Sequence, residues 1–171
     1  TLEKEGLMEN TLIVFAGDNG LAVGQHGLLG KQNLYEHSIR VPMIFSGPGI
    51  PKNKKADGFV YLSDIAPTIY EYLKIPDPKT VEAKSLMPII KDQKVKVREN
   101  IYNVYGHWSR SVKTADGMKL IVYNVAGKET TQLFDLKKDP METVNLSEKS
   151  NYQTIIRNMR NICRQEMIAA H

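Results

Sequence analysis

The interpretation of the sequence depends on two adjacent stretches, TLIVFA at residues 11–16 and GDNGLAVGQHGLLGK at residues 17–31. A short run that is apolar throughout and closes at a glycine is typical of a strand buried between helical layers. The loop behind it carries Asp18, Asn19 and Lys31, at the end of a strand where functional loops of open α/β sheets lie. The stretch therefore predicts an α/β sheet with a polar site at the carboxyl end of its first strand.

Composition narrows the class of protein. The 171 residues are 42% hydrophobic, which is enough for a core, and the net charge of +4 comes from scattered lysines. No run approaches the ~20 continuous apolar residues of a membrane span. The lysine clusters lack interleaved aromatic residues, so they favour a solvated surface over nucleic-acid binding.

The single cysteine, Cys163, lies on an apolar helical face and is predicted to be a packed thiol rather than a nucleophile.

The first half of the chain has the pattern of a parallel α/β structure. Residues 2–10 predict the last turns of a helix, and residues 41–45 predict a second buried strand that ends at a Gly-Pro-Gly turn. A helix is expected after Ser63, its predicted N-cap, and a short helical turn over residues 86–91. Two parallel strands do not form an independent sheet, so we expect partner strands outside this chain.

The second half of the chain has the residue pattern of an antiparallel sheet. Residues 99–135 are rich in β-branched and aromatic residues separated by turn signals, which predicts an antiparallel meander, and residues 151–167 predict a closing helix. We therefore expect an α/β part over residues 1–95 and an α+β subdomain over residues 96–171. The exposed edge of the first strand also predicts self-association of the isolated chain.

The adjacent residues Asp18 and Asn19 are candidate metal ligands. A carboxylate beside an amide carbonyl offers two hard oxygen donors, which suit Ca²⁺ or Mg²⁺ better than zinc. Asp-Asn-Gly is also a common turn sequence, so these residues alone leave a simple turn open as the alternative.

Further motifs follow the first one at short intervals. GDNG at 17–20 is followed by GQHG at 24–27, GK at 30–31, YE at 35–36 and RVP at 40–42. This run resembles the carboxy-terminal metal-binding motif of the sulfatases, members of the alkaline phosphatase superfamily. The resemblance continues through AKSLMPII at 83–90 and TTQLFDLKKDPMETVNL at 130–146, and it covers nearly the whole chain. It implies part of an alkaline-phosphatase-like sheet sandwich followed by a small α+β subdomain.

The resemblance also implies a function and assigns roles. A full-length sulfatase hydrolyses sulfate esters of small molecules or glycans, and Asp18 and Asn19 match two ligands of its divalent metal, usually Ca²⁺, with Mg²⁺ as an alternative. Lys31 matches a lysine that contacts the sulfate group. His26 is assigned to the catalytic site, either lining the substrate pocket or bonding a ligand, and a structural role on the loop backbone is the alternative. Glu36 and Arg40 are expected to form an ion pair or to brace the loop, rather than to act as catalytic groups.

One part of the sulfatase pattern is absent from the sequence. These enzymes attack with a formylglycine made within the motif C/S-x-P-x-R, whereas Cys163 precedes RQEM, Ser46 begins SGPGI, and no Asp-Asp pair occurs. We therefore expect this chain to be the carboxy-terminal part of a longer sulfatase, inactive alone because two oxygen ligands cannot fill the six to eight positions around Ca²⁺. The resemblance favours a periplasmic or secreted enzyme.

Two other functions fit the same residues. A phosphoester or phosphonate hydrolase of the same superfamily would share the metal ligands and the lysine. A non-catalytic module that binds anions or carbohydrates would use the loop only as a turn.

Overall fold

The computed structural model describes residues 1–78, 80 and 82–169 and contains two compact units. The first unit comprises Thr1–Asp18 and Val41–Glu99, and the second comprises Asn19–Arg40 and Asn100–His171. Residues 19–40 group with the carboxy-terminal residues because Leu34 and Tyr35 are buried in a core of the second unit. The predicted division at residues 95 and 96 concerns the domains of a longer protein and stays a prediction.

Eight strands and four α-helices are present among the described residues. The strands are β1 Ile13–Ala16, β2 Ala22–Val23, β3 Leu29–Gly30, β4 Met43–Ser46, β5 Asn100–Tyr105, β6 Ser109–Thr114, β7 Met118–Val125 and β8 Lys128–Asp135. The helices are α1 Glu36–Ile39, α2 Ile65–Leu73, α3 Met87–Lys91 and α4 Gln153–Ala169. In this described part of the chain, no helix has both the length and the apolar character needed to cross a membrane.

The two strands of the first unit, β1 and β4, pair antiparallel, with Ile13 opposite Ser46 and Ala16 opposite Met43. The predicted parallel arrangement of these strands is therefore wrong. Parallel neighbours need a crossover, usually a long helix, whereas the connection between β1 and β4 contains the short strands β2 and β3 and, as its one α-helix, the four-residue α1. The predicted helix over residues 2–10 is wrong as well, since these residues form turns and a short 3-10 helix at Met8–Asn10.

One face of the β1–β4 pair is apolar and exposed. Ile13, Phe15 and Ile44 are 37%, 58% and 56% exposed, and they alternate with less exposed residues along their strands. An exposed apolar surface of this kind favours association. The predicted self-association of the isolated chain nevertheless stays a prediction.

A buried ion pair organises the rest of the first unit. The Asp64 carboxylate is fully buried and accepts bonds of 2.5 and 2.8 Å from the two terminal nitrogens of Arg98. The same carboxylate accepts the backbone N–H groups of Tyr61 at 2.7 Å and Lys84 at 3.0 Å. Asp64 therefore binds the backbone at the start of the 3-10 helix Leu62–Asp64 that leads into α2, and the predicted cap, Ser63, lies inside that 3-10 helix.

The second unit is a four-stranded antiparallel meander with the strand order β5-β6-β7-β8, as predicted. The closing helix α4 also follows the prediction, and it packs on one face of the sheet through Ile156, Met159 and Cys163. The opposite face buries Leu34 and Tyr35 against Ile121 and Phe134 of the sheet. The thiol of Cys163 is thus a core group, and its burial raises its pKa.

A buried ionic network fixes the beginning of α1 to the sheet. The ammonium of Lys119 on β7 is fully buried and lies 3.0 Å from Glu36 Oε1 and 2.7 Å from Glu142 Oε1. Lys113 on β6 lies 2.8 Å from the other oxygen of Glu36. Burial raises the pKa of the Glu36 carboxyl, but the two ammonium groups outweigh burial and leave the pKa below its ordinary value of 4.5.

We predict that Arg98→Met destabilises the chain by about 3–5 kcal/mol, because it leaves the buried Asp64 carboxylate without its cation. Urea denaturation followed by circular dichroism measures the change in the free energy of unfolding. Lys55→Met is the matched control, since its ion pair with Asp57 is almost fully exposed at 3.6 Å and should contribute little. Equal stability of the two variants would contradict the prediction.

The network also predicts a stability change with pH. Because the pKa of Glu36 is lower in the folded chain, its stabilising contribution is complete above about pH 4.5 and is lost as the pH falls through the folded pKa. Glu36→Gln should therefore be less stable near neutral pH and should lose less stability on acidification. Urea denaturation at a series of pH values checks both points, and parallel curves for the two proteins would refute this role of Glu36.

Candidate functional site

The glycine-rich segment 17–31 forms a small hairpin. Strands β2 and β3 pair through Ala22 opposite Gly30 and Val23 opposite Leu29. The connection between them carries His26, whose φ of 55° lies in the left-handed region. The segment therefore has a defined backbone, with His26 at its tip.

Gly20 at the base of this hairpin permits close backbone packing. Its N–H donates to the carbonyl oxygen of Ser38 at 2.9 Å. A Cβ atom at this position would lie only 1.9 Å from the carbonyl oxygen of His37. A side chain at residue 20 would therefore push the hairpin away from α1, and glycine is required here for a steric reason.

The two candidate metal ligands occupy adjacent positions where the two units meet along the chain. Asp18 ends the first segment of the first unit, and Asn19 begins the second unit. Their carboxylate and amide oxygens fit a hard cation such as Ca²⁺, but they supply two of the six to eight ligands that it takes. Within residues 1–78, 80 and 82–169, no group of three or more His, Cys, Asp or Glu side chains is arranged to hold a metal ion. The residues present therefore fit part of a coordination sphere.

Lys31 directly follows β3 and is exposed. Its backbone N–H donates to the side-chain oxygen of Gln32 at 3.1 Å, while its ammonium forms no ion pair in the described part of the chain. A lysine ammonium in this state is available to an anion, since no carboxylate competes for it.

His26 is held on two sides within the second unit. Its ring stacks on Tyr35 with the centroids 3.9 Å apart and the planes 2° from parallel. Its Nε2 lies 3.1 Å from the carbonyl oxygen of Met141, and because a carbonyl only accepts, Nε2 carries the proton. In the neutral ring, Nδ1 of His26 is then the hydrogen-bond acceptor.

His37 completes an aromatic cluster with these two rings. Its centroid lies 5.7 Å from Tyr35 and 5.6 Å from His26. The Nε2 atom of His37 is buried and has no hydrogen-bond partner among the described residues. Burial lowers the pKa of His37, and the neighbouring His26 and Lys119 lower it further, so its ring is neutral at pH 7.

The structure places the predicted site residues in two groups. Asn19, His26 and Lys31 belong to the second unit, and Asp18 belongs to the first. The expected ion pair between Glu36 and Arg40 is wrong, because Glu36 binds Lys113 and Lys119 instead. Sequence reasoning also missed the stack of Tyr35 on His26. The sequence signal for the Glu36 ion pairs and for the Tyr35 stack was YEH at 35–37. The aromatic side chain of Tyr35 and the acidic side chain of Glu36 face the sheet rather than each other.

Comparison with known proteins gives a consistent result. Residues 24–168 match the family model described as N-sulphoglucosamine sulphohydrolase, C-terminal. The chain is 33% identical to an arylsulfatase of Clostridium perfringens over 97% of this chain and 35% of that protein. It is 29% identical to arylsulfatase K of Bos taurus over 86% of this chain and 29% of that protein. The chain thus spans about a third of the length of these relatives.

A solved structure with bound substrate has the same fold. It contains D-glucosamine-2-N,6-O-disulfate, is 25% identical to this chain and superposes with a TM-score of 0.86 over 96% of this chain and 35% of its own. The predicted fold class, part of an alkaline-phosphatase-like α/β fold followed by an α+β subdomain, is confirmed. The resemblance to sulfatases is confirmed too, because the family model covers most of the chain. The chain therefore belongs to the sulfatase family represented by the carboxy-terminal region of N-sulphoglucosamine sulphohydrolase.

Proposed function

We propose that this chain is the carboxy-terminal part of a sulfatase that hydrolyses sulfate esters of small molecules or glycans. The observation that carries the proposal is the exposed ammonium of Lys31, which forms no ion pair with the described residues and is held at the end of a short hairpin in a chain of the sulfatase family. A sulfated glucosamine bound to one solved relative supports a glycan substrate. The nucleophile, a formylglycine, is proposed to lie outside this chain, so the chain alone is inactive.

The role of Lys31 follows from the charge that the reaction creates. When a nucleophile attacks the sulfur of a sulfate ester, negative charge must be held on the oxygens of the transferring group. A lysine ammonium is a compact charge with three N–H donors, and it can bind one of these oxygens. Lys31 would thus bind the sulfate group and stabilise the charge during transfer.

Asp18 and Asn19 are proposed to hold the divalent metal, with Ca²⁺ favoured over Mg²⁺. When bound, such an ion withdraws charge from the sulfate group and orients it. The two side chains contribute hard oxygen donors, and the remaining ligands would come from outside this chain.

His26 is proposed to act beside Lys31 at the catalytic site. Its stack on Tyr35 and its bond to Met141 fix the ring, which leaves Nδ1 as an oriented acceptor. An acceptor of this kind can bind a hydroxyl of the substrate or a metal-bound water.

Lys31→Ala in the longer protein should reduce kcat/KM for an aryl sulfate by about 10²–10³-fold, the cost of removing one charge-stabilising donor. Lys52→Ala, which changes an exposed lysine of the first unit, should leave the rate unchanged. Assays with an aryl phosphate run in parallel separate the sulfatase from a phosphoester hydrolase. A higher kcat/KM for the phosphate ester would contradict the sulfatase proposal.

Asp18→Ala in the longer protein should abolish activity and lower its content of bound Ca²⁺, because one anionic ligand is lost. Atomic absorption after dialysis measures the metal, and Asp57→Ala, at an exposed carboxylate of the first unit, serves as the control. Full activity and metal content in Asp18→Ala would contradict the proposed metal site and would indicate that residues 17–20 serve only as a turn.

A further inference from the structure

The second unit contains a cavity of about 860 Å³, within the size range of pockets for small organic ligands. It lies along β8, between the beginning of α4 and the hairpin with the residues that follow it, and His26 and Leu28 of the hairpin line it. The side chains that matter for its chemistry are Trp108, Tyr123, Gln132, Asn145, Gln153 and Arg160. We propose that this cavity binds a neutral hexose unit of a glycan.

Aromatic rings form one wall of the cavity. The rings of Trp108 and Tyr123 are within 18° of parallel, with centroids 6.2 Å apart, and both are only partly buried. Tyr105 holds the Trp108 ring from its edge at 5.2 Å. The C–H face of a pyranose ring is apolar and flat, so it packs well on a fixed aromatic face.

Side-chain amides provide the polar groups of the cavity, and their orientation is fixed. The Gln132 oxygen accepts the Tyr35 hydroxyl at 2.9 Å, and the Asn145 oxygen accepts two backbone N–H groups at 3.0 Å. Both residues therefore keep an NH₂ group as donor. The NH₂ of Gln153 is bonded to two backbone carbonyls, which leaves its oxygen as acceptor. Oriented donors and acceptors of this kind match sugar hydroxyls.

The charge of the cavity favours an uncharged ligand. Its arginine, Arg160, is already bonded to the Glu129 carboxylate and to the Thr131 hydroxyl at 2.5 Å. The described residues that line the cavity also include the carboxylate Glu148 and the imidazole of His26, and they include no lysine. A site for sulfate or phosphate alone would present uncompensated cations, so the lining fits the hydroxyl groups of a sugar better than an isolated anion.

The inference extends the proposed function, because a glycan substrate would supply the sugar and His26, proposed for the catalytic site, also lines the cavity. The titration nevertheless tests the binding of an unsulfated sugar by itself. Trp108 is the only tryptophan of the chain, so tryptophan fluorescence reports on this cavity directly. N,N′,N″-triacetylchitotriose and maltotriose, both uncharged, are titrated into the 171-residue chain, with glycerol and inorganic sulfate as comparison ligands. We expect a saturable fluorescence change with at least one trisaccharide and with neither comparison ligand.

Variants test whether the change arises in the cavity. Gln153→Ala and Gln132→Ala should each weaken trisaccharide binding about fivefold, the effect of one lost hydrogen bond. Gln165→Ala is the matched control, since Gln165 is exposed on the same helix α4 and does not line the cavity. Urea denaturation of each variant confirms folding before the titration.

Three results would overturn the inference. These are the absence of a saturable change with both trisaccharides, an equal change with inorganic sulfate, and equal weakening in Gln165→Ala and Gln153→Ala. Loss of sulfatase activity in the longer protein would not affect this titration, so the two proposals fail separately.

Discussion

The fully buried ammonium of Lys119 is the constraint on which the second unit depends. Removing an ammonium from water costs several kcal/mol unless opposite charges compensate it in good geometry. Glu36 at 3.0 Å and Glu142 at 2.7 Å provide that compensation. The two carboxylates come from segments more than 100 residues apart, so the requirement to pair one lysine determines where both segments contact the sheet.

The same pairing explains why His26 has a defined position. The chain neighbours of the two glutamates are Tyr35 and Met141, and these are the residues that stack on His26 and accept its Nε2 proton. The Glu142 carboxylate also accepts the backbone N–H of Glu36 at 2.6 Å, which joins the two segments directly. The ion pairs of Glu36 and Glu142 with Lys119 therefore orient the ring of His26, which is not itself part of the ion network. The buried ion pairs thus stabilise the hairpin that carries His26, and Lys31 lies at the end of that hairpin.

The sequence predicted the meander and α4 because period-two and helical patterns were long and bounded by turn signals. It predicted the wrong direction for the β1–β4 pair, since a short apolar run contains no information about which neighbour it pairs with or how. The network around Lys119 was not predictable in this way, because a lysine within a strand usually indicates a solvent-facing position. The candidate site residues were identified from the motif at 17–31, and their proposed roles depend on its resemblance to sulfatases. The aromatic cluster around His26 was found only in the structure.

The two proposals together separate two kinds of binding energy. A sugar held by Trp108 and by uncharged amides such as Gln153 would be bound nearly equally before and after sulfate is removed, since neither contact senses the sulfate charge. Such uniform binding localises the substrate but does not accelerate the reaction. The charge-dependent contribution would come from Lys31, whose ammonium interacts most strongly when negative charge accumulates on the transferring group. The cavity with its aromatic and amide side chains is thus suited to retention of a glycan, and Lys31, which has no ion pair among the described residues, is suited to catalysis.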